Sequence, residues 1–153
     1  MLLYFVRLLP NWKAKEIVIR YFFSNTSTEE FKRKCDQFSE KIIPTIIRSN
    51  ALKELLDHKR RDHKVIVVTA SVENWLIEWC RKYEVELIGT RLEIIEETIT
   101  GKLYGKNCYG PEKVRRIREQ YDLEDFDSIY AYGDSRGDKE LLDIATHPHY
   151  RYF

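Results

Sequence analysis

The sequence is poor in the features that mark unusual proteins. Only four prolines and six glycines occur in 153 residues, which excludes collagen-like, repetitive and low-complexity chains. The three cysteines, Cys35, Cys80 and Cys108, are an odd number with no Cys-x-x-Cys spacing. That excludes a zinc ribbon and a disulfide framework, and predicts reduced thiols in the cytoplasm. An excess of one charge is missing as well: 26 Lys and Arg face 25 Asp and Glu. Without the electrostatic footprint of a nucleic-acid binder, no nucleic-acid partner is expected. No long apolar run exists either. The opening Met1–Pro10 stretch is interrupted by Arg7, is shorter than the about 20 residues that span a bilayer, and lacks a cleavage site. No membrane partner is expected. What is present is 43% hydrophobic residues in a chain long enough to bury a core without disulfide or structural metal.

The first sixty residues carry helical periodicity. Asn11–Phe23 predicts one helix. A second starts at Thr28, where Phe31, Cys35, Phe38 and Ile42 recur at helical steps. Pro44 interrupts it, and Ser49–Lys59 predicts a third, ending in the solvated basic cluster His58-Lys59-Arg60-Arg61. From Lys64 the pattern changes to strand–helix alternation. Val65–Val68 is an unbroken β-branched run, suited to a strand covered on both faces. Ser71 is then placed to cap a helix from Val72 to Lys82. Glu86–Gly89 predicts a second strand, and Arg91–Tyr104 an extended pair containing Thr100-Gly101. Pro111 opens a helix, Ser128–Gly133 forms a third strand, and Lys139–Ala145 a closing helix. The fold class is α/β: a Rossmann-like three-layer parallel sheet over residues 63–153, preceded by a helical region over residues 1–62.

Three features carry chemistry. Tyr132-Gly133-Asp134-Ser135-Arg136-Gly137-Asp138 ends an apolar strand in a glycine turn bearing two carboxylates. In an open parallel sheet, ligands bind beyond the carboxyl ends of the strands. Oxygen ligands there suit Mg²⁺, although Asp138 could equally cap the helix while Asp134 satisfies turn amides. Thr69 ends the Val65–Val68 strand, where its hydroxyl and the following amide at Ala70 are free to hold an oxyanion. Lys113 stands near a helix start, where the dipole disfavours a cation unless anions face it. Elsewhere the signals are thinner. Tyr104, Asn107 and Tyr109 precede Lys113 and are candidates for a substrate pocket. His147-Pro148-His149 reads as a surface turn rather than a metal site, and His58 and His63 lack partners at catalytic spacing.

Taken in order, Thr69, Lys113 and Asp134-x-x-x-Asp138 resemble the haloacid dehalogenase (HAD) superfamily, closest to its phosphoserine phosphatase-like branch, subfamily IB. Val68-Thr69-Ala70-Ser71 with Trp75-Leu76, Asn107–Val114, Tyr132–Ser135 and the tail His149–Phe153 all carry that likeness. The resemblance implies a HAD-like core at 63–153 and a cap at 1–62. Thr69 and Ala70 would bind phosphate, and Lys113 would neutralise it. Asp134 would ligate Mg²⁺, with Asp138 as a second ligand or a supporter. Small phosphorylated molecules would be hydrolysed through an aspartyl-phosphate.

One departure weighs against activity. The family's nucleophile comes from an Asp-x-Asp-x-Thr motif on an amino-terminal strand, and this chain has no such motif. The expectation is an amino-terminally truncated enzyme, inactive by itself, with the first central strand of its sheet missing. Two strand edges would then stand open. Those strands could pair directly, or residues 2–9, as strand or helix, a second copy of the chain, or a strand-donating partner could fill the gap. The alternative is a non-catalytic binding or interaction module.

Overall fold

The computed structural model describes residues 9–153, so the expectation for residues 2–9 falls, apart from Leu9, outside the described residues. Among the described residues four helices come first: α1 (Asn11–Phe23), α2 (Thr28–Lys41), α3 (Ile43–Ile46) and α4 (Ser49–Arg60). Ser27 caps α2 by accepting from the Glu30 amide at 3.2 Å. Phe31 and Cys35 of the expected stripe are buried, whereas Ile42 falls at the helix end and is exposed. Ile43 enters the core instead, in the short helix that Pro44 restarts.

A two-residue strand, β1 (Thr26–Ser27), interrupts these helices and pairs with a distant hairpin. That hairpin is β3 (Glu86–Ile95) and β4 (Thr98–Tyr104), and β3 also pairs in parallel with β2 (Ile66–Val72). The resulting sheet has the order β1-β4-β3-β2. Its hairpin turns at Glu96 and Glu97, both at positive φ (47° and 57°), not at Thr100-Gly101. Gly101 lies within β4, where an added Cβ would come 2.6 Å from the Arg20 backbone. The glycine there allows close approach of α1 instead of a turn.

After β2 comes a 3₁₀ turn, Glu73–Trp75, and α5 (Ile77–Lys82). Ser71 does not cap it; the residue before the turn is Val72, which offers no side-chain cap. Helix α6 (Pro111–Arg118) starts after Gly110. Strand β5 (Tyr130–Gly133) leads through a 3₁₀ turn, Arg136–Asp138, into α7 (Lys139–Asp143). The closing His147–Tyr150 segment is a strand, β6, parallel to β5, rather than a surface turn. Pro148 is tolerated because β6 is an edge strand, where a missing amide breaks no ladder. The architecture is α/β, with its strands, among the described residues, in two separate sheets.

Three apolar clusters hold these layers. Phe31, Cys35, Val72, Leu92 and Ile99 join α1 and α2 to the hairpin, with Trp75 against Phe23 and Phe31. Ile43, Trp79, Cys80 and Val85 form a second, and Ile88, Cys108 and Ile117 a third. All three cysteines are buried and unpaired. Burial raises the Cys35 thiol to about 12 and Cys80 to about 11, so neither ionises readily. Among the described residues, no helix is long and apolar enough to cross a membrane.

Candidate functional site

Two strand edges face a common cleft. The Glu86 amide donates to Val65 O, so alternate main-chain groups at Ile66 and Val68 point away from β3. By the same alternation, His147 N donates to Ile129 O and leaves Tyr130 and Tyr132 facing away from β6. Between β2 and β5 lies a cavity of about 620 Å³ lined by Val65–Val68, Tyr130–Tyr132, Ile117 and Leu141. No ladder joins the two strands among the described residues.

Two of the expected residues, Lys113 and Asp138, meet beside Val68 of β2 and past the carboxyl end of β5; β2 runs on to Val72, so Thr69 lies within that strand and does not end it as expected. Helix α6 is held in place by Arg116, which bonds to Gly89 O and to Glu112 Oε1. Arg115, and then Arg116, hold the Glu112 carboxyl down at about 2. The next residue, Lys113, is buried and donates to Val68 O at 3.0 Å and to Asp138 Oδ1 at 2.6 Å. The ammonium therefore ties β2 to the turn after β5. Asp138 Oδ2 accepts from Ser135 Oγ (2.6 Å), Ser135 N (3.0 Å) and Asp134 N (3.3 Å). Burial alone would raise the Asp138 carboxyl, but Lys113 and Ser135 outweigh it and hold it below its ordinary value. Gly133 permits this turn, since a Cβ there would lie 2.5 Å from the Asp138 Cβ.

The other candidates are placed differently. Thr69 is half-buried, and its Oγ accepts from Ser71 N at 3.0 Å, leaving its own proton free to donate. The Asp134 side chain is exposed, with Arg48 Nη2 at 3.3 Å. Arg48 also donates to Phe153 O at 3.1 Å. The Tyr109 ring lies across Gly137, where a Cβ would come within 2.3 Å of it. Tyr104 is exposed at the end of β4, and Asn107 turns its Oδ1 toward Thr90 Oγ and Lys15 Nζ. The Asp-x-Asp spacing does occur once, at Asp125-Phe126-Asp127. It lies at and just after the 3₁₀ turn Leu123–Asp125, on the amino side of β5, so it is at the wrong end of that strand and is no substitute for the nucleophile.

Sequence reasoning missed Lys15, Arg48 and Thr90. Each lies far along the chain from the residues it touches, and none belongs to a local motif. It also misjudged the histidines. His58 Nδ1 is 2.8 Å from His63 Nδ1 and its Nε2 is 2.9 Å from the Tyr132 hydroxyl, so His58 is not part of a solvated helix end. His147 and His149 stack on Tyr130 and Tyr132.

The haloacid dehalogenase-like hydrolase family model matches residues 2–143. Protein CicA of Caulobacter vibrioides is 33% identical over 143 residues, covering 92% of this chain. The chain spans 64% of that relative's length. A protein of unknown function from Bordetella pertussis superposes with a TM-score of 0.79 at 24% identity, over 90% of this chain and 64% of that one. A HAD family hydrolase from Salmonella enterica serovar Typhi gives 0.63 at 13%, over 93% and 52%. A phosphoserine phosphatase structure, a phospho-aspartyl intermediate analogue, gives 0.56 at 22%, over 90% and 63%. The structural likenesses speak for the fold, and the family match speaks for descent. With Lys113 and the Asp134–Asp138 turn joined at the strand ends, the chain belongs to the haloacid dehalogenase-like hydrolases.

Proposed function

We propose that this chain carries the phosphate- and cation-binding half of a phosphomonoester hydrolase that works through an aspartyl-phosphate, and that it is inactive by itself. The observation that carries this reading is the buried Lys113, held between Val68 O and Asp138 beside Thr69. Its ammonium neutralises a bound phosphoryl group, and the free Thr69 proton donates to a phosphoryl oxygen. Residues 1–62 act as the cap over a core of residues 63–153. The phosphoserine phosphatase neighbour, held as a phospho-aspartyl analogue, supports the covalent route. The three buried free thiols are in keeping with a cytoplasmic setting.

The donor set suits Mg²⁺ as a shared site. Among the described residues no three His, Cys, Asp or Glu side chains converge. Mg²⁺ commonly takes one or two carboxylates and completes its shell with water and substrate phosphate. Asp134 is the carboxylate available for it; Asp138, with both oxygens bonded, acts as the supporter. When bound, Mg²⁺ would supply neutralising charge at the phosphoryl oxygens. Asp134 has to leave Arg48 to bind it.

Thermal denaturation tests this directly. Orthophosphate with Mg²⁺, at about a hundredfold above its Kd, is expected to raise Tm by about 5–10 °C. Asp134→Asn should remove the Mg²⁺-dependent part and keep the part due to phosphate alone. No shift in the unaltered chain would overturn the assignment.

The β2–β5 cleft favours a second reading, an interaction module that completes its sheet with a strand from another chain. Open edges of apolar strands pair readily. On that reading the chain sizes as a dimer or larger species at micromolar concentration. A monodisperse monomer counts against strand exchange between copies.

A further inference from the structure

A pair of histidines that the proposed phosphate chemistry leaves unused stands at the end of α4. The chain leaves that helix through a turn in which Asp62 takes a positive φ of 59°. Asp62 N donates to Lys59 O and His63 N donates to His58 O, both at 3.0 Å. Such a pair of bonds around one left-handed residue terminates a helix and sets its third-last residue beside the second residue past the cap. Here both of those residues are histidines. Their Nδ1 atoms face each other at 2.8 Å. The main chain itself brings them together.

The proton positions around His58 follow from its partners. The Tyr132 hydroxyl lies 3.0 Å from Glu54 Oε1 and 2.9 Å from His58 Nε2. It has one proton, which it donates to the carboxylate, so it accepts from His58 Nε2–H. Burial, and then the bond to Glu54, push the hydroxyl up, so it keeps that proton. Burial, and then His63, lower His58 from its ordinary value and favour its neutral form. A neutral imidazole protonated at Nε2 presents a lone pair at Nδ1. That is the state of a metal-ligating histidine, with one nitrogen bare and the other N–H tied toward a carboxylate. His63 is exposed and can carry its proton on either nitrogen. With that proton on Nε2, two lone pairs converge.

We infer that His58 and His63 form a binding site for a late first-row divalent metal ion, Cu²⁺ or Ni²⁺, distinct in its ligands from the carboxylate site at Asp134. Two nitrogens each about 2.0–2.1 Å from one metal and at right angles stand about 2.9 Å apart, whereas a tetrahedral ion such as Zn²⁺ spreads them to about 3.4 Å. The observed 2.8 Å fits the right-angled ions. The carboxyl end of α4 adds the negative end of its dipole. Arg60 and Arg61 are both turned onto Asp57, at 2.8 and 2.6 Å. Among the described residues no third His, Cys, Asp or Glu joins the pair, so water completes the shell. Binding moves the His63 proton from Nδ1 to Nε2 by way of solvent and exchanges two waters of the ion for two nitrogens, with no net loss of a proton.

Titration of the whole chain with Cu²⁺, followed by calorimetry and electron paramagnetic resonance, tests this. The expected result is one ion bound per chain, with two imidazole nitrogens coupled to the copper. An excess of Mg²⁺ should not displace it, because imidazole does not suit that ion. His63→Asn, a change at an exposed position, should abolish the two-nitrogen signal and weaken binding by more than about a hundredfold, beyond the cost of losing an orienting group. Tyr132→Phe keeps both ligands and removes only the group that orients His58; it should weaken binding by about tenfold with the two-nitrogen signal intact. His149→Asn, a change to a ring stacked on Tyr132 but outside the pair, should leave binding as it was. Copper binding that ignores His63→Asn or Tyr132→Phe, or that Mg²⁺ displaces, overturns the inference. So does an unaltered chain that binds no Cu²⁺ or shows a single nitrogen, for then the pair is a hydrogen bond and nothing more.

Discussion

Lys113→Met should lower the melting temperature of this chain by about 10 °C. The expectation follows from burial, because the Lys113 and Asp138 side chains are only 8% and 10% exposed and sit 2.6 Å apart. Removing one partner of such a pair strands the other charge in a poorly hydrated site, which costs about 3–5 kcal/mol. For a chain of this size each kcal/mol moves Tm by roughly 2–4 °C. Methionine keeps the length and apolar stem of lysine, so little of the loss can come from a cavity. The control is the pair of changes Lys113→Met and Asp138→Asn together. The asparagine keeps an acceptor for Ser135 but carries no charge, so the double variant should recover more than half of the loss. Differential scanning calorimetry decides it. A fall of under about 2 °C for Lys113→Met would mean that the ammonium is not the tie between β2 and the Asp134–Asp138 turn.

The largest catalytic effect should come from a strand that ends in Asp-x-Asp-x-Thr, a motif absent from this sequence. The 153-residue chain is expected to release no p-nitrophenol from p-nitrophenyl phosphate above the buffer rate. A chain extended at its amino end by a strand terminating in Asp-x-Asp-x-Thr, seated in the cleft between β2 and β5, should turn the ester over in the presence of Mg²⁺. In that longer protein Asp134→Asn should cost about 10³-fold in kcat/KM, the upper end for removing one preorganised electrostatic contact. Lys113→Met should cost a similar factor, with the fold checked because of its structural role. Burst kinetics would report the covalent intermediate. Robust turnover by the unextended chain, abolished by Asp134→Asn, would show that another side chain serves as nucleophile.

Both effects trace to the same piece of geometry. Lys113 is buried and bonded both to β2 and to the turn after β5, so it organises the rim of the sheet and, on the proposed reading, the anion site as well. Asp138 is consumed by that task, leaving Asp134 open. The pairing of Asp134 with Arg48 shows the open carboxylate already attracting a cation. On the proposed reading, phosphate and Mg²⁺ each strengthen the binding of the other, so their responses are expected to be coupled, with phosphate alone giving the smaller one.

Much of this molecule was legible before any coordinates. The four-three spacing of Phe31, Cys35 and Phe38 marked α2, and the β-branched run at Val65–Val68 marked β2. The Gly133–Asp138 turn announced itself as glycine and carboxylates after an apolar strand. These are local signals, set by side-chain period and by backbone freedom within a few residues. The order Thr69, Lys113, Asp134 was legible too, and with it the family. Other features were not. The hairpin turns at Glu96 and Glu97 in spite of a more turn-like Thr100-Gly101, because Gly101 is needed where α1 crosses β4. His147-Pro148-His149 resembles a turn and becomes a strand because β5 offers it an edge. Lys15 meets Ala70 across 55 residues of sequence and Asn107 across 92. Periodicity fixes which face of a segment is apolar and which residues sit at its ends. Which distant side chains meet, and which strands pair, depends on what packing brings alongside, and that is a property of the assembled chain.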